Sequence, residues 1–339
     1  MITYSTLSRR SITGISALLL SVVVHAQAIG DTFTEGGFQC EVLAVNPETA
    51  SGQVKITGSA TEVGESLEIP ATLKHTYAEA EWLFDVTVIG EKAFAESKAL
   101  KTVRFPSPEE TSITVIGPLA FHHCAALQCI NLEDTKIEVL EPLFTKDETD
   151  EMYFEDLTEL QLPETLKEIK SFAMQFLGIR TMTIPASVTT IGEGILEGNI
   201  YLEEFYWKGA QVDRLPLYTF LGDDALQKVY FLTVNDIATD GLTDMHFYMC
   251  HKELLTVYVT PASYEILSAN GYNNETSVFS TLAVDPNWTG IVMPQAASSG
   301  SVRGVTDKYH AVYSISGSKI SQPQKGTLYI RDGRKFIAR

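Results

Sequence analysis

Residues 116–132 read Ile116-Gly117-Pro118-Leu119-Ala120-Phe121-His122-His123-Cys124-Ala125-Ala126-Leu127-Gln128-Cys129-Ile130-Asn131-Leu132. An aliphatic anchor, Ile116, is followed four and five residues later by a small-then-bulky pair, Ala120-Phe121. Eleven residues after the anchor comes Leu127, with apolar Ile130 and Leu132 three and five beyond it. The same wording recurs seven times between Leu67 and Pro261. Its first halves are Ile89-Ala93-Phe94, Ile116-Ala120-Phe121, Val139-Leu143-Phe144, Ile169-Ala173-Met174, Ile191-Ile195-Leu196, Leu215-Thr219-Phe220 and Leu242-His246-Phe247. Its second halves are Leu100-Val103-Phe105, Leu127-Ile130-Leu132, Leu157-Leu160-Leu162, Ile179-Met182-Ile184, Leu202-Phe205-Trp207, Leu226-Val229-Phe231 and Leu254-Val257-Val259. A unit of roughly 22–30 residues cannot close a core alone, so each copy must cover the apolar face of the next. The chain is therefore read as a solenoid.

The second half of each copy is short and often ends in proline (Pro106, Pro163, Pro185, Pro261), which predicts a short strand. Counted from its leading residue, strand positions 3 and 5 point inward and positions 2 and 4 to the other face. The first half suits one helical or 3₁₀ turn packed behind the strand. The expected fold is an α/β repeat solenoid, a horseshoe with short parallel strands on its concave face and short helical turns behind.

Ile89-Gly90-x-x-Ala93-Phe94, Ile116-Gly117-x-x-Ala120-Phe121-x-x-Cys124-x-x-Leu127 and Ile184-Pro185-x-x-Val188-x-x-Ile191-Gly192 resemble the BspA-type bacterial leucine-rich repeat over roughly residues 65–262. That resemblance implies a surface-exposed or secreted protein that binds other macromolecules, host matrix proteins among them. Local regularity departs from the pattern at an acidic insertion, Lys146 to Tyr153, at Thr219-Phe220, and at His246 in the alanine slot.

Outside the array the composition changes. Arg9-Arg10, an apolar run from Ile12 to Val24, and Val24-His25-Ala26 read as a secretory leader (residues 1–26) cleaved after Ala26, or alternatively after Ala28. The run is too short to span a bilayer, and no later segment is long and apolar enough to do so. Residues 27–64 alternate apolar and polar (Phe38, Cys40, Val42; Val54, Ile56), as a β-hairpin cap would. The array is assigned to 65–284, a linker to 285–307, and a basic β tail to 308–339. The tail looks like the C-terminal sorting tails of the type IX export route.

The formal net charge is −18, and 45% of the 339 residues are hydrophobic. Such a balance disfavours nucleic acid, whose phosphates need a basic footprint. From Arg303 onward, eight Lys/Arg against two Asp/Glu make the tail +6; without Arg9 and Arg10 the chain stands at −20, leaving −26 on residues 27–302. Array and tail therefore read as separate modules.

Catalytic groupings are not found. No Gly-x-Ser-x-Gly elbow, His-Glu-x-x-His helix, P-loop or Cys-x-x-Cys pair is present, and Gly192 to Gly198 has the wrong spacing for a dinucleotide fingerprint. An enzyme is not expected, nor any cofactor. The clusters His122-His123-Cys124 and His246-x-x-x-Cys250-His251 lie five repeats apart and cannot share one ion, so no metal site is expected. For the same reason Cys124 and Cys250, each eight residues after its anchor, cannot form a disulfide. The acidic run Asp147-Glu148-Thr149-Asp150-Glu151 with Glu155-Asp156 reads as a solvated loop, with a cation site as the alternative. Asn274-Glu275-Thr276 and Asn287-Trp288-Thr289 match the glycosylation triplet by pattern only.

The informative letters are the variable ones. Strand position 4 runs Arg104, Asn131, Gln161, Thr183, Tyr206, Tyr230, Tyr258, and position 2 beside the tyrosines is Glu204, Lys228, Thr256. With adjacent strands about 4.8 Å apart, the tyrosines would form a ladder on the concave face. Tyr206, Tyr230, Tyr258, Glu204, Lys228 and Arg104 are the candidate partner-binding residues, for a protein or, alternatively, a glycan. The competing readings are that the aromatic residues merely stabilise neighbouring strands and that the array is a structural spacer presenting the tail or cap.

Overall fold

The computed structural model describes residues 28–77, 79–145, 153–208, 215–231, 242–243, 245–269, 271–272 and 278–286, and the backbone of four strands between 312 and 337. The leader, the acidic run 147–151, both glycosylation-like triplets and the linker from 287 onward lie outside the described residues.

The first described strands are β1 (Thr32–Glu35), β2 (Phe38–Asn46) and β3 (Ser51–Ser59), paired antiparallel in sequence order. Phe38, Cys40, Val42, Val54 and Ile56 all face the core, as alternation predicts. Next come β4 (Ser66–Glu68) and a hairpin of β5 (Thr72–Tyr77) and β6 (Ala80–Ile89). β6 runs parallel beside β3 and delivers the anchor Ile89 to the array.

Each copy beyond Ile89 then adds rungs to parallel ladders. In chain order they are β7 (Thr102–Arg104), β8 (Val115–Ile116), β9 (Cys129–Ile130), β10 (Val139–Leu140), β11 (Glu168–Ile169), β12 (Thr181–Ile184), β13 (Thr190–Ile191), β14 (Glu204–Trp207), β15 (Lys228–Phe231) and β16 (Thr256–Val259). A helix α1 (Pro261–Ala269) and a strand β17 (Thr281–Val284) follow. The strand halves form two sheets, β4-β7-β9 and β12-β14-β15-β16-β17; of the anchors, β8 pairs with β6 in the first, six-stranded sheet, and β10-β11-β13 form a short sheet of their own. α1 starts where chemistry directs: Pro261 needs no N–H there, and the Thr260 hydroxyl accepts from the Ser263 N–H at 3.2 Å. Farther on, β18 (Val312–Ser314), β19 (Lys319–Ile320), β20 (Leu328–Arg331) and β21 (Arg334–Ile337) pair antiparallel in the order β19-β18-β20-β21.

Inward strand positions 3 and 5 are buried throughout: Val103, Phe105, Ile130, Leu132, Met182, Ile184, Phe205, Trp207, Val229, Phe231, Val257 and Val259. Register differs from the spacing at two places. Leu140, not Val139, takes the inward anchor place, pairing with Ile169. Leu255 is fully buried while Leu254 stands 60% exposed at the end of a 3₁₀ turn. The copy from Leu157 to Leu162 buries its three leucines but forms no strand among the described residues.

The expected helical turns behind the sheet are not helical. Counting turn positions from the anchor, the N–H groups at positions 3, 5 and 7 donate to the next coil instead of back along their own segment. Lys92, Phe94 and Glu96 donate to the carbonyls of Pro118, Ala120 and His122, and Phe172, Met174 and Phe176 to those of Glu193, Ile195 and Glu197. A helix would spend these donors on its own carbonyls four residues back. The outward direction of these N–H groups is kept while the chain bends, with positions 3 and 7 left-handed in five coils: Lys92 and Glu96, Leu119 and His123, Phe172 and Phe176, Gly194 and Gly198, Tyr218 and Gly222 all have positive φ. Among the described residues the helical pieces are α1 and the 3₁₀ turns Leu132–Asp134 and Lys252–Leu254, none of them in this place.

The glycine after the anchor follows from the same packing. A Cβ on Gly192 would lie 2.2 Å from the Ser171 nitrogen and 2.6 Å from its Oγ. Gly192→Ala is expected to lower stability by about 1–3 kcal/mol, read as a fall in the urea midpoint. An unchanged midpoint would show that the coils can separate there at no cost.

Turn position 8 satisfies the interior. Cys124 Sγ donates to the Phe94 carbonyl at 3.3 Å, Asn199 Nδ2 to Met174 at 3.0 Å, and Cys250 Sγ to Phe220 at 2.9 Å. Each acceptor is turn position 5 of the preceding coil. Asn199 Oδ1 also accepts from the Leu177 N–H at 2.7 Å, and Asp223 Oδ1 likewise from Asn199 at 2.8 Å. The fully buried Asp223 Oδ2 has no partner, and only the protonated carboxyl could donate there as its counterparts do. Burial pushes the Asp223 carboxyl well above its usual range. The folded state thus holds this proton more tightly than the unfolded chain. Its contribution to stability is full below the ordinary carboxylate range and is lost as pH rises from there towards the folded value. Asp223→Asn, which restores the donor, is expected to stabilise the protein at pH 7 by about 1–3 kcal/mol, the gap closing as pH falls towards 4. Urea unfolding at both pH values measures this, and a pH-independent difference would contradict it.

Candidate binding surface

Parallel pairing without slippage aligns equivalent residues across β12, β14, β15, β16 and β17. Glu204 pairs with Lys228 and Lys228 with Thr256; Tyr206 pairs with Tyr230 and Tyr230 with Tyr258. Strand position 4 faces away from the core, since Phe205 and Trp207 on either side of Tyr206 are buried. The three rings stack: Tyr206 and Tyr230 have centroids 4.5 Å apart at 5°, Tyr230 and Tyr258 4.5 Å apart at 8°. The strand spacing is close to the contact distance of aromatic faces, so sheet geometry builds the stack. Tyr230, in the middle, is only 9% exposed, whereas its neighbours are half-buried. Thr183 bounds the stack on one side and Ala283 on the other.

A charged row runs beside the rings. Lys228 Nζ donates to Glu204 Oε1 at 2.7 Å, and the Tyr206 hydroxyl donates to Glu204 Oε2 at 2.5 Å. Both bonds favour the carboxylate, Lys228 more strongly, and hold Glu204 below its usual range. The Lys228 ammonium is held up by the same carboxylate. Burial, with Glu204 second, pushes the Tyr206 phenol far up, and burial also raises Tyr230. Tyr206 and Tyr230 therefore stay neutral at any physiological pH, and the patch offers hydroxyls and ring edges beside one internally paired charge.

Five of the six candidate residues come together on β14, β15 and β16. Arg104 does not join them. It stands on β7, its Nε 3.7 Å from Glu68 of β4, in the other strand sheet. β9, the strandless segment 157–162 and β12 separate it from the tyrosines. Ala283 on β17 extends the row one strand beyond the candidate residues, where Phe279-Leu282-Val284 repeats the strand spacing with phenylalanine in the leading place. The second histidine cluster comes apart: His246 is fully buried, its Nδ1 accepting from the Thr243 N–H at 2.8 Å and its Nε2 2.8 Å from the Leu215 carbonyl, while His251 pairs with Glu253 at the surface.

Comparison with curated proteins finds no match. Among solved structures, a leucine-rich repeat protein from Bacteroides ovatus is 19% identical with a TM-score of 0.44, over 69% of this chain and 51% of that one. This chain thus spans about half the length of that protein. The pneumococcal vaccine antigen PcpA is 15% identical with a TM-score of 0.32, over 76% of this chain and 100% of that one. A leucine-rich cell surface protein from Faecalibacterium prausnitzii is 18% identical with a TM-score of 0.33, over 68% and 70% respectively. The model of the BspA-type leucine-rich repeat region matches residues 77–156 and 151–278 in six copies. Those segments cover more than half of the chain, which therefore belongs to the BspA-type leucine-rich repeat family.

Proposed function

We propose that this chain is an exported, non-enzymatic, adhesin-like protein that binds a protein partner through the open face of its sheet, centred on Tyr206, Tyr230 and Tyr258. Membership of a repeat family built for macromolecular contact supports a binding role. The observation that carries the site is the three-ring stack in register beside the Glu204–Lys228 pair. Rigid aromatic area with hydroxyl edges gives contact at low entropic cost, which is why tyrosine is enriched in protein interfaces. Matrix proteins are the partners to try first. Arg104 belongs to a separate contact, or to none.

A glycan is the second reading, favoured by one detail. Rings stacked along the sheet present their faces at the ends of the row, and on the next described strand Tyr258 pairs with Ala283, whose side chain is a methyl. A sugar ring could lie on that face.

Tyr206→Ala with Tyr258→Ala removes the two half-buried rings and leaves the buried one in place. The pair is expected to weaken capture of an immobilised matrix protein by about tenfold or more, as truncation of interface aromatics does. Biolayer interferometry against matrix proteins, run beside a glycan array, measures it. Unchanged binding to every ligand held by the parent chain would leave the stack a strand-stabilising feature only.

The reading also includes export by the 1–26 leader and a sorting or anchoring role for the tail 308–339. Among the described residues no helix is long and apolar enough to cross a membrane. N-terminal sequencing of the chain recovered from the medium or the cell surface is expected to begin at Gln27. A chain retained inside the cell with its first residues intact would remove the export reading.

A further inference from the structure

We infer that Glu96, His122 and His123 form a binding site for a divalent transition-metal ion of the zinc class, bridging two successive coils on the turn face. His122 and His123 offer two imidazoles, and the third ligand comes from the coil before, which is why no count within the His-His-Cys run could find it. The ligand atoms of the three side chains all lie within 4.8 Å of one another. Glu96 and His123 both occupy turn position 7, and His123 Nδ1 is 2.6 Å from Glu96 Oε1.

Two backbone features build this arrangement. In an extended chain adjacent side chains point to opposite faces. The left-handed φ of 59° at His123 breaks that alternation, and the His122 and His123 rings stack with centroids 3.8 Å apart at 23°. The Glu96 N–H donates to the His122 carbonyl at 2.8 Å, so the two coils are pinned in register at the site. Cys124, although next in sequence, is not a ligand. It is fully buried, donates to the Phe94 carbonyl, and its thiol is pushed up to about 11 by burial.

Two imidazoles and one carboxylate form a donor set that zinc accepts, with water completing the tetrahedron. Imidazole nitrogen also suits copper and nickel, whereas calcium and magnesium prefer oxygen alone. A bound ion would join the first two coils of the array, adding to stability by mass action.

Zinc chloride titrated calorimetrically into the purified full-length chain at pH 7.5 tests the site, with the melting midpoint followed in parallel. The expected result is one zinc ion that raises the midpoint reversibly to EDTA. Affinity should fall at least about tenfold in His122→Ala, in His123→Ala and in Glu96→Gln, and stay unchanged in His251→Ala. Should an alanine variant lose its far-UV circular dichroism, Glu96→Gln decides alone, since it keeps both the shape and the surface position. Zinc affinity equal to the parent's in the folded variants overturns the proposal and leaves a surface ion pair only. So does a loss of the same size in His251→Ala.

Discussion

Backbone hydrogen bonds that run along the array, from each coil to the next, are the constraint on which the other features depend. They link the strand halves through β12, β14, β15, β16 and β17, and they link the turn halves through every second N–H. Because these donors are spent outward, the turn halves cannot be helices, and two left-handed residues in each of five coils keep the donors aimed at the neighbour. Because the coils meet at backbone distance, Gly192 admits no side chain against Ser171. And because the pairing holds register, one residue type repeated at one position becomes a column. Phe94 and Phe121 stack inside as Tyr206 and Tyr230 do outside.

Much of this was legible in the apolar spacing. The inward residues, the strand halves and the alternating faces follow from side-chain period alone, and the tyrosine column follows from equal spacing of Tyr206, Tyr230 and Tyr258 within their copies. What spacing could not separate was a compact helical turn from a bent, outward-bonded one. Both bury positions 4 and 5 of the turn, and they differ only in where the N–H groups point. The one-residue slips at Leu140 and Leu255 were hidden for a related reason. Val139 and Leu254 are equally apolar, and only pairing with the next coil decides which turns inward. A site assembled across coils is the hardest to see, since Glu96 lies 27 residues from His123.

Family membership accounts for the interior and says little about the ligand. The fixed apolar letters recur because each coil must bury the next. Positions 2 and 4 of the strands carry no such duty, and there the chain has placed its tyrosines, the Glu204–Lys228 pair and, apart from them, Arg104. Aromatic rings beside a charge already paired within the protein make contact by shape and hydroxyl bonding more than by attraction at a distance.

The donors at turn position 8 have a further consequence, for reactivity. Cysteine attacks as thiolate, and burial pushes the thiol of Cys124 up to about 11 and those of Cys40 and Cys250 up to about 12. Committed as donors to carbonyls of the preceding coil, Cys124 and Cys250 serve as small polar fillers where Asn199 does the same work. A chain exposed to oxidants can keep such thiols unpaired without scrambling. Cys129 alone among the four is exposed, on the open face of β9. It gives this array a single chemical handle, set on the same sheet side as Arg104 and away from the tyrosines.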